Sequence, residues 1–391
     1  MKITMKRLYV FLAALVALPL VSCKRESAVS FVEGAPVEVM VSIRGSKTVS
    51  DTKVVTPAYS DESKVNSLQV FVFNGDELEA HRLVENSLAT LIPATAGERS
   101  VWAVTNAPDI YAALNVSDSN PMTLPKLKAF MSNLTDNKPN GFVMVGSVTQ
   151  ELVDGGNVLI DVKRIVARVS ISKISASLKD YREGYSVKIN RLFLLNVPGN
   201  ASLDFTAEPS LWLNKMAHVD DMVDLLLCDS FSGEDVPVVK NNVYKKDGVS
   251  VHEHEAYVYE KMLVGQYELA EGVTMEQENA YIKEHVFYSY PNKFGTDDGN
   301  SQNISDSWSP RGSVLVIEAT MIEADGVTEH PGFYPIMLPC LERNKTYSIE
   351  EVRITRLPGD EPYKPIQTGE SQVTVSVHDW ELGLNLGTVN I

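Results

Sequence analysis

The sequence predicts an all-β protein with minor helix, arranged as two β-rich domains behind an export signal. Three observations predict it. Apolar residues alternate with polar ones at period two in segments along the chain, which is the spacing of half-buried strands. Turn chemistry closes such a segment at Asn74-Gly75. Helical spacing appears in one stretch, Met122 to Leu134, at Leu124, Leu127, Phe130, Met131 and Leu134.

In chain order, the start is charged (Lys2, Lys6, Arg7) and is followed by an apolar run from Leu8 to Val21. This run is too short for a comfortable membrane span and reads as a bacterial export signal. Leu20-Val21-Ser22-Cys23 ends it and looks like a lipobox, in which Cys23 is acylated and becomes the mature N-terminus. Val37, Val39, Val41 and Ile43 then form an alternating strand. Arg44 to Ser60, rich in Ser, Thr, Lys and Gly and containing Pro57, reads as an exposed, protease-accessible loop.

Strands follow at Leu68–Phe73 and Arg99–Val104, the helical stretch at Met122–Leu134, and two strands between Val158 and Ile174 broken near Lys163-Arg164. A polar stretch at Asp180–Gly184 marks a domain boundary. The second block opens with a strand at Val187–Leu194. It passes through acidic, irregular segments (Asp220–Asp235, Gly295–Ser309) to strands at Ser313–Thr320 and Tyr347–Thr355. At the end, Val373, Val375 and Val377 share one parity. The phase changes across His378-Asp379, Trp380, Leu382, Leu384 and Leu386 take the other, and it changes again before Val389 and Ile391. The last strand either completes its own sheet or docks on another molecule by strand addition.

Composition bounds the function. Removal of the signal leaves length for two domains, and a hydrophobic content of 44% is ordinary for a globular chain. A net charge of −16 argues against a nucleic-acid backbone as partner. With Cys23 used by the lipid, Cys228 and Cys340 are left as one disulfide or as two buried free thiols.

Catalytic patterns are weak. His252-Glu253-His254 puts two His on one face of a strand, with no third ligand at a recognisable spacing and no helical His-Glu-x-x-His. Ser186 and Ser289 sit in no Gly-x-Ser-x-Gly elbow. Asp220-Asp221 and Asp297-Asp298 are acidic pairs of the kind solvated in loops, and Asp297-Asp298-Gly299-Asn300 lacks the spaced ligands of a calcium loop. Tyr288, Tyr290 and Trp308 are candidates for a glycan-contact surface or for core packing. The expectation is no enzyme activity, no metal and no cofactor.

A resemblance carries the reading further. Asp61-Glu62-Ser63-Lys64-Val65 followed by Leu68–Gly75 resembles the start of the mature fimbrillins of Bacteroidia. Lys163-Arg164-Ile165-Val166-Ala167-Arg168-Val169 is similar to their central basic motif. Phe333-Tyr334-Pro335-Ile336 with Arg343-Asn344-Lys345-Thr346-Tyr347 is similar to their late motif, and Gln372 to Trp380 to their strand ending in Trp. The matches occur in the family's order, whereas Ser202 to Asn300 matches nothing in it.

The resemblance implies a type V pilus subunit of two transthyretin-like β-sandwich domains in tandem. Residues 1–23 are then the lipoprotein signal and 24–53 the N-terminal strand and processed segment. Residues 54–184 form the first sandwich, and 185–391 form the second together with a donor strand over about 371–391. It implies that a trypsin-like protease removes the strand bearing Val37, Val39, Val41 and Ile43. Lys53, before Val54, best fits the cleavage position. The family's pattern has Arg there, so Arg44 and Lys47 stand as alternatives.

The opened groove would take the C-terminal strand of another subunit (Trp380, Leu382, Leu384, Leu386, Val389, Ile391). Each inward side chain left wet costs about 1.5–3 kcal/mol. Until cleavage the occupied edge prevents premature pairing, and a head-to-tail contact of this kind grows filaments. The implied partners are other fimbrial subunits, the processing protease, the outer membrane through the lipid before processing, and a glycan or protein receptor, with no nucleic acid. The precursor is expected at the outer membrane and the mature protein in surface fimbriae. A polymerising stalk subunit is favoured. A tip or anchor subunit and a glycan-binding surface lipoprotein are the alternatives.

Overall fold

The computed structural model describes residues 32–45, 62–137, 140–179, 182–213, 215–217, 225–227, 238–246, 249–257, 266–275, 280–295, 311–359 and 375–379. The first half contains β1 (Pro36–Gly45), β2 (Ser67–Asn74), β3 (Glu77–Glu85), β4 (Ala89–Thr95) and β5 (Gly97–Thr105). Two short helices follow, α1 (Ile110–Ala113) and α2 (Leu124–Lys128), then β6 (Met131–Asn133), β7 (Met144–Leu152) and β8 (Asn157–Arg164).

The strands run in the order β3-β2-β5-β7-β8-β1-β4. The path turns at the β7–β8 corner, where only Met144↔Arg164 and Val145↔Lys163 pair. The result is two facing layers, β3-β2-β5-β7 and β8-β1-β4. Leu68, Val70, Val72, Val101, Ala103 and Met144 from the first layer meet Val37, Val39, Val41, Ile43, Ile92, Val158, Ile160 and Val162 from the second in one core. β1 is covered on one face and alternates as buried and exposed. β2 is buried on both faces, because Phe71 and Phe73 pack on the opposite side into a second core. This is why Leu68–Phe73 reads as an unbroken apolar run.

The second half contains β9 (Ala167–Ala176), β10 (Ser186–Leu195), β11 (Val197–Pro198), β12 (Asn200–Ser202), β13 (Trp212–Leu213), β14 (Lys215–Ala217), β15 (Leu225–Leu227), β16 (Val238–Lys246), β17 (Val249–Tyr257) and β18 (Gln266–Met275). It closes with β19 (Ala280–Ser289), β20 (Val314–Ile322), β21 (Glu329–Met337), β22 (Lys345–Ile349), β23 (Val352–Ile354) and β24 (Val375–Asp379). One sheet is ordered β18-β10-β20-β21 and the other β19-β9-β22-β24, with β23 pairing β9. Their inner faces, among them Val169, Ile171, Ile189, Leu192, Phe287, Leu315, Ile317 and Tyr347, share the second core. A bulge at Asn190 shifts the β10 register, so the buried set passes from Val187 and Ile189 to Leu192 and Leu194. The chain is therefore all-β with minor helix, built as β-sandwiches.

Three expectations change. The helical stretch at Met122–Leu134 is helix only over Leu124–Lys128, with Thr123 Oγ1 accepting from the Lys126 N–H at 3.4 Å as its cap. Met131–Asn133 instead pairs antiparallel with Asn200–Ser202, a tertiary contact that overrides the local period. Tyr347–Thr355 is split into β22 and β23. The boundary drawn at Asp180–Gly184 is not where strand pairing changes hands. β9 pairs with β19, β22 and β23, so the handover falls at the Ile165-Val166 turn between β8 and β9.

Candidate functional site

β1 is an interior strand. It runs antiparallel to β4, from Pro36↔Thr95 to Ser42↔Ala89, and parallel to β8, from Met40↔Asn157 to Gly45↔Val162. Its inward residues are sealed: Val39 and Val41 are 0% exposed, Ile43 5% and Val37 8%. Loop groups tie it further. Asp154 Oδ1 accepts from the Glu38 N–H at 3.1 Å, and the Gly156 carbonyl accepts from Met40 N–H at 2.9 Å. Near its end Arg44 Nε donates to Asp161 Oδ1 at 2.5 Å, both side chains lying in solvent. That hydrogen bond holds the Asp161 carboxyl below its ordinary range and raises the Arg44 guanidinium.

Where the two halves meet lies a buried polar clasp. Glu62, Arg164 and Arg168 are each fully buried. Arg168 Nε lies 3.5 Å from Glu62 Oε1, and the Tyr288 hydroxyl donates to the same oxygen. Arg164 Nε donates to the Glu62 carbonyl at 3.2 Å and Nη2 to Ser63 Oγ at 3.1 Å. Burial pulls the Arg164 guanidinium down to about 9, against Glu62 and Tyr288, which raise it. It therefore stays charged at neutral pH. Asn344 Oδ1 accepts from the Arg164 N–H at 3.4 Å, while the Asn344 N–H donates to the Val166 carbonyl at 2.9 Å. Register places Tyr288 and Thr346 on either side of Arg168. Such charges are tolerated inside only when mutually paired and hydrogen-bonded.

Glu62, the pair Arg164 and Arg168, and Asn344 lie in three separate sequence motifs, and no local pattern joins them. The available signal is two arginines flanking Ile165-Val166-Ala167, an apolar run in which exposed charge is out of place.

The other candidates fall as follows. Tyr288 and Tyr290 are 0% exposed, which corrects their candidacy as a glycan surface. The Tyr290 hydroxyl donates to Ser132 Oγ and accepts from Asn137 Nδ2, both at 2.9 Å. Ser289 is buried and donates to the Tyr290 carbonyl. Ser186 opens β10. His252, Glu253 and His254 fall within β17, which pairs with β16. Among the described residues no group of three or more His, Cys, Asp or Glu is placed to hold a metal ion, and no helix is long and apolar enough to cross a membrane. Cys340 is a free thiol, exposed rather than buried. Cys23, Lys47, Lys53, Val54, Trp308, Cys228, the Asp220-Asp221 and Asp297-Asp298 pairs, and Trp380, Leu382, Leu384, Leu386, Val389 and Ile391 lie outside the described residues. Val375–Asp379, just before the last group, pairs antiparallel with β22.

Residues 35–178 match the family model of the major fimbrial subunit protein (FimA). The chain is 24% identical over 212 residues to the major fimbrium subunit FimA type-3 of Porphyromonas gingivalis, covering 49% of this chain and 52% of that protein. A FimA type-2 subunit of the same organism is 26% identical over 216 residues, with the same coverage. The chain thus spans about half the length of the curated relatives it matches. In fold it is similar to a fimbrilin from Porphyromonas gingivalis, with TM-score 0.54 and 15% identity over 91% of this chain and 99% of that one. A candidate cell adhesion protein from Bacteroides eggerthii gives TM-score 0.56 and 16% identity over 90% and 99%. The motifs of the first half and the family model that matches residues 35–178 agree, so this part of the chain is similar to the major fimbrial subunit family, and the chain as a whole shares the fimbrilin fold.

Proposed function

We propose that this chain is a structural subunit of a cell-surface fimbria of the type V kind, supporting adhesion. It is exported as an outer-membrane lipoprotein through Cys23, loses its N-terminal strand to a trypsin-like protease, and polymerises by donor-strand exchange. The observation that carries this reading is the position of β1. It is an interior strand hydrogen-bonded on both edges, with four inward side chains at most 8% exposed. It is also the first described strand, so one cut downstream frees it.

Its loss would open a groove between β4 and β8 lined by Ile92, Ala94, Val158, Ile160 and Val162. An apolar strand of the same polarity, parallel to β8 and antiparallel to β4, would refill it and restore the ladders. The period-two set at Trp380, Leu382, Leu384 and Leu386 has the spacing of Val37, Val39, Val41 and Ile43. Arg44 is the weaker cleavage candidate, because its peptide bond to Gly45 lies within the β1–β8 pairing. Lys47 and Lys53 lie past the strand. Other subunits of the fibre are the partners of this groove, and the protease and the receptor are further partners of the assembled protein.

The test is limiting trypsin on the purified chain, followed by mass and electron microscopy, beside a chain truncated after Asp379. Cleavage between residues 45 and 61 followed by ladders or filaments, lost on truncation, is the expected result. A clipped chain that stays monomeric at high concentration overturns the stalk role and points to a tip or anchor subunit, or to a glycan-binding lipoprotein.

A further inference from the structure

We infer that the Glu62 clasp sets the limit of that processing: it closes the chain from residue 62 onward to a trypsin-like protease, so trimming stops short of the Lys64–Val65 bond. This rests on the proposed removal of the N-terminal strand. Lys64 is the next basic residue after Lys53, so a protease of that specificity meets it next. Proteolysis requires backbone to be drawn out of its burial and its hydrogen bonds. Around Lys64 both are extensive.

On the N-terminal side, Glu62 is fully buried against Arg168 and Tyr288, and Arg164 grips the Glu62 carbonyl and the Ser63 hydroxyl. At the bond itself, Asn106 Nδ2 donates to the Lys64 carbonyl at 2.8 Å. On the C-terminal side, Val65 is fully buried and the Asn66 N–H donates to Asn106 Oδ1 at 2.7 Å. Asn106 also donates to the Phe142 carbonyl at 2.8 Å, tying this segment to the residues just before β7.

The arrangement has a functional consequence. A cut after Lys64 would delete Glu62 and leave Arg164 and Arg168 buried without its carboxylate, a strongly unfavourable state. A cut before Asp61 keeps the carboxylate in place. The junction of the two halves then survives the loss of β1, and the subunit stays rigid while its groove is open.

The test follows cleavage of the full-length chain in detergent by limiting trypsin, with N-terminal sequencing and mass over time. In the wild type, products starting between residues 45 and 61 accumulate and none starts at Val65. In Glu62→Ala, a product starting at Val65 forms about a hundredfold faster or more, since cleavage of a transiently opened segment tracks its opening equilibrium. Tyr288→Phe and Asn106→Ala, checked for folding by thermal melts, give smaller accelerations at the same bond and decide the matter should Glu62→Ala fail to fold. A Val65 product that forms in the wild type as fast as the upstream cut overturns the clasp. So does an unchanged rate in the folded variants. Absence of any cut between residues 45 and 61 instead overturns the processing reading, while the comparison at Lys64–Val65 still decides the clasp.

Discussion

Arg44 and Asp161 face each other across the parallel β1–β8 pair, with Nε to Oδ1 at 2.5 Å and Nη2 to Oδ2 at 3.1 Å. The pair is exposed, so its weight in global stability is small. Its place one residue before the end of β1 gives it a local role, pinning the end from which the strand would peel.

Protection at that end is therefore expected to depend on pH. Arg44 depresses the Asp161 pKa in the folded state, so the contribution is full above the unfolded carboxylate value, about 4. It is lost as pH falls through the lower folded value. Hydrogen-exchange protection factors of Ile43 and Gly45 should fall on acidification, and should be reduced at neutral pH in Asp161→Asn. The Val39 amide should hardly change. Equal loss along the whole strand would show that β1 opens as a unit and that the pair is irrelevant.

Val41 is 0% exposed, and register sets it between Thr90 on β4 and Val158 on β8. Val41→Ala is expected to cost about 2 kcal/mol through lost burial and a residual cavity, read as a lower midpoint in urea. Val39→Asp places an unpaired carboxylate in the same core and should leave β1 undocked. Rapid tryptic cleavage after Arg44 would report that state, and resistance equal to wild type would contradict it.

Gly146 marks the close approach of the two layers at the β7–β8 corner. A Cβ there would lie 2.2 Å from the Asp161 carbonyl oxygen and 2.8 Å from Ile160 Cγ2. Backbone cannot yield as a side chain can, so Gly146→Ala should destabilise by roughly 2 kcal/mol or more. Gly155→Ala is the control. Its site is open, and the cost is the strain of a φ of +67°, about 1 kcal/mol. Thermal melts in which the control loses more than Gly146→Ala would refute the close-approach account.

Tyr290 bridges the halves of the molecule through Ser132 and Asn137. Tyr290→Phe should cost roughly 1–3 kcal/mol, because both partners keep their desolvation penalty. Burial raises the phenol pKa in the folded state. Its contribution is then full below the unfolded value near 10 and declines as pH rises above it toward the folded value. Stability measured from pH 9 to 11 should fall less steeply in the variant than in the wild type.

Much of the fold was legible where local chemistry is self-sufficient. Val37, Val39, Val41 and Ile43 declare a one-sided strand by parity, and β1 has that alternation. Asn74-Gly75 declares a turn, and Gly75 adopts φ +59° there. Glu77–Glu85 carries no such alternation, because an edge strand half in solvent need not alternate. Met131–Asn133 has helical spacing yet is a strand, because its partner, Asn200–Ser202, is far along the chain.

The sequence by itself determined the all-β class, the two-block plan, the inward set of β1 and the motifs that resemble fimbrillins, all of them properties of neighbouring residues. Tertiary structure decided what those motifs do together. That β1 is interior rather than an edge follows from its pairing with both β4 and β8. That β9 joins the second half follows from its pairing with β19 and β22. That Glu62, Arg164, Arg168, Tyr288 and Asn344 form one buried clasp follows from contacts spanning 101 to 226 residues. Parity and turn propensity act over a few residues. A buried charge is stable only with partners that the chain brings from far away, and so no local pattern announces it.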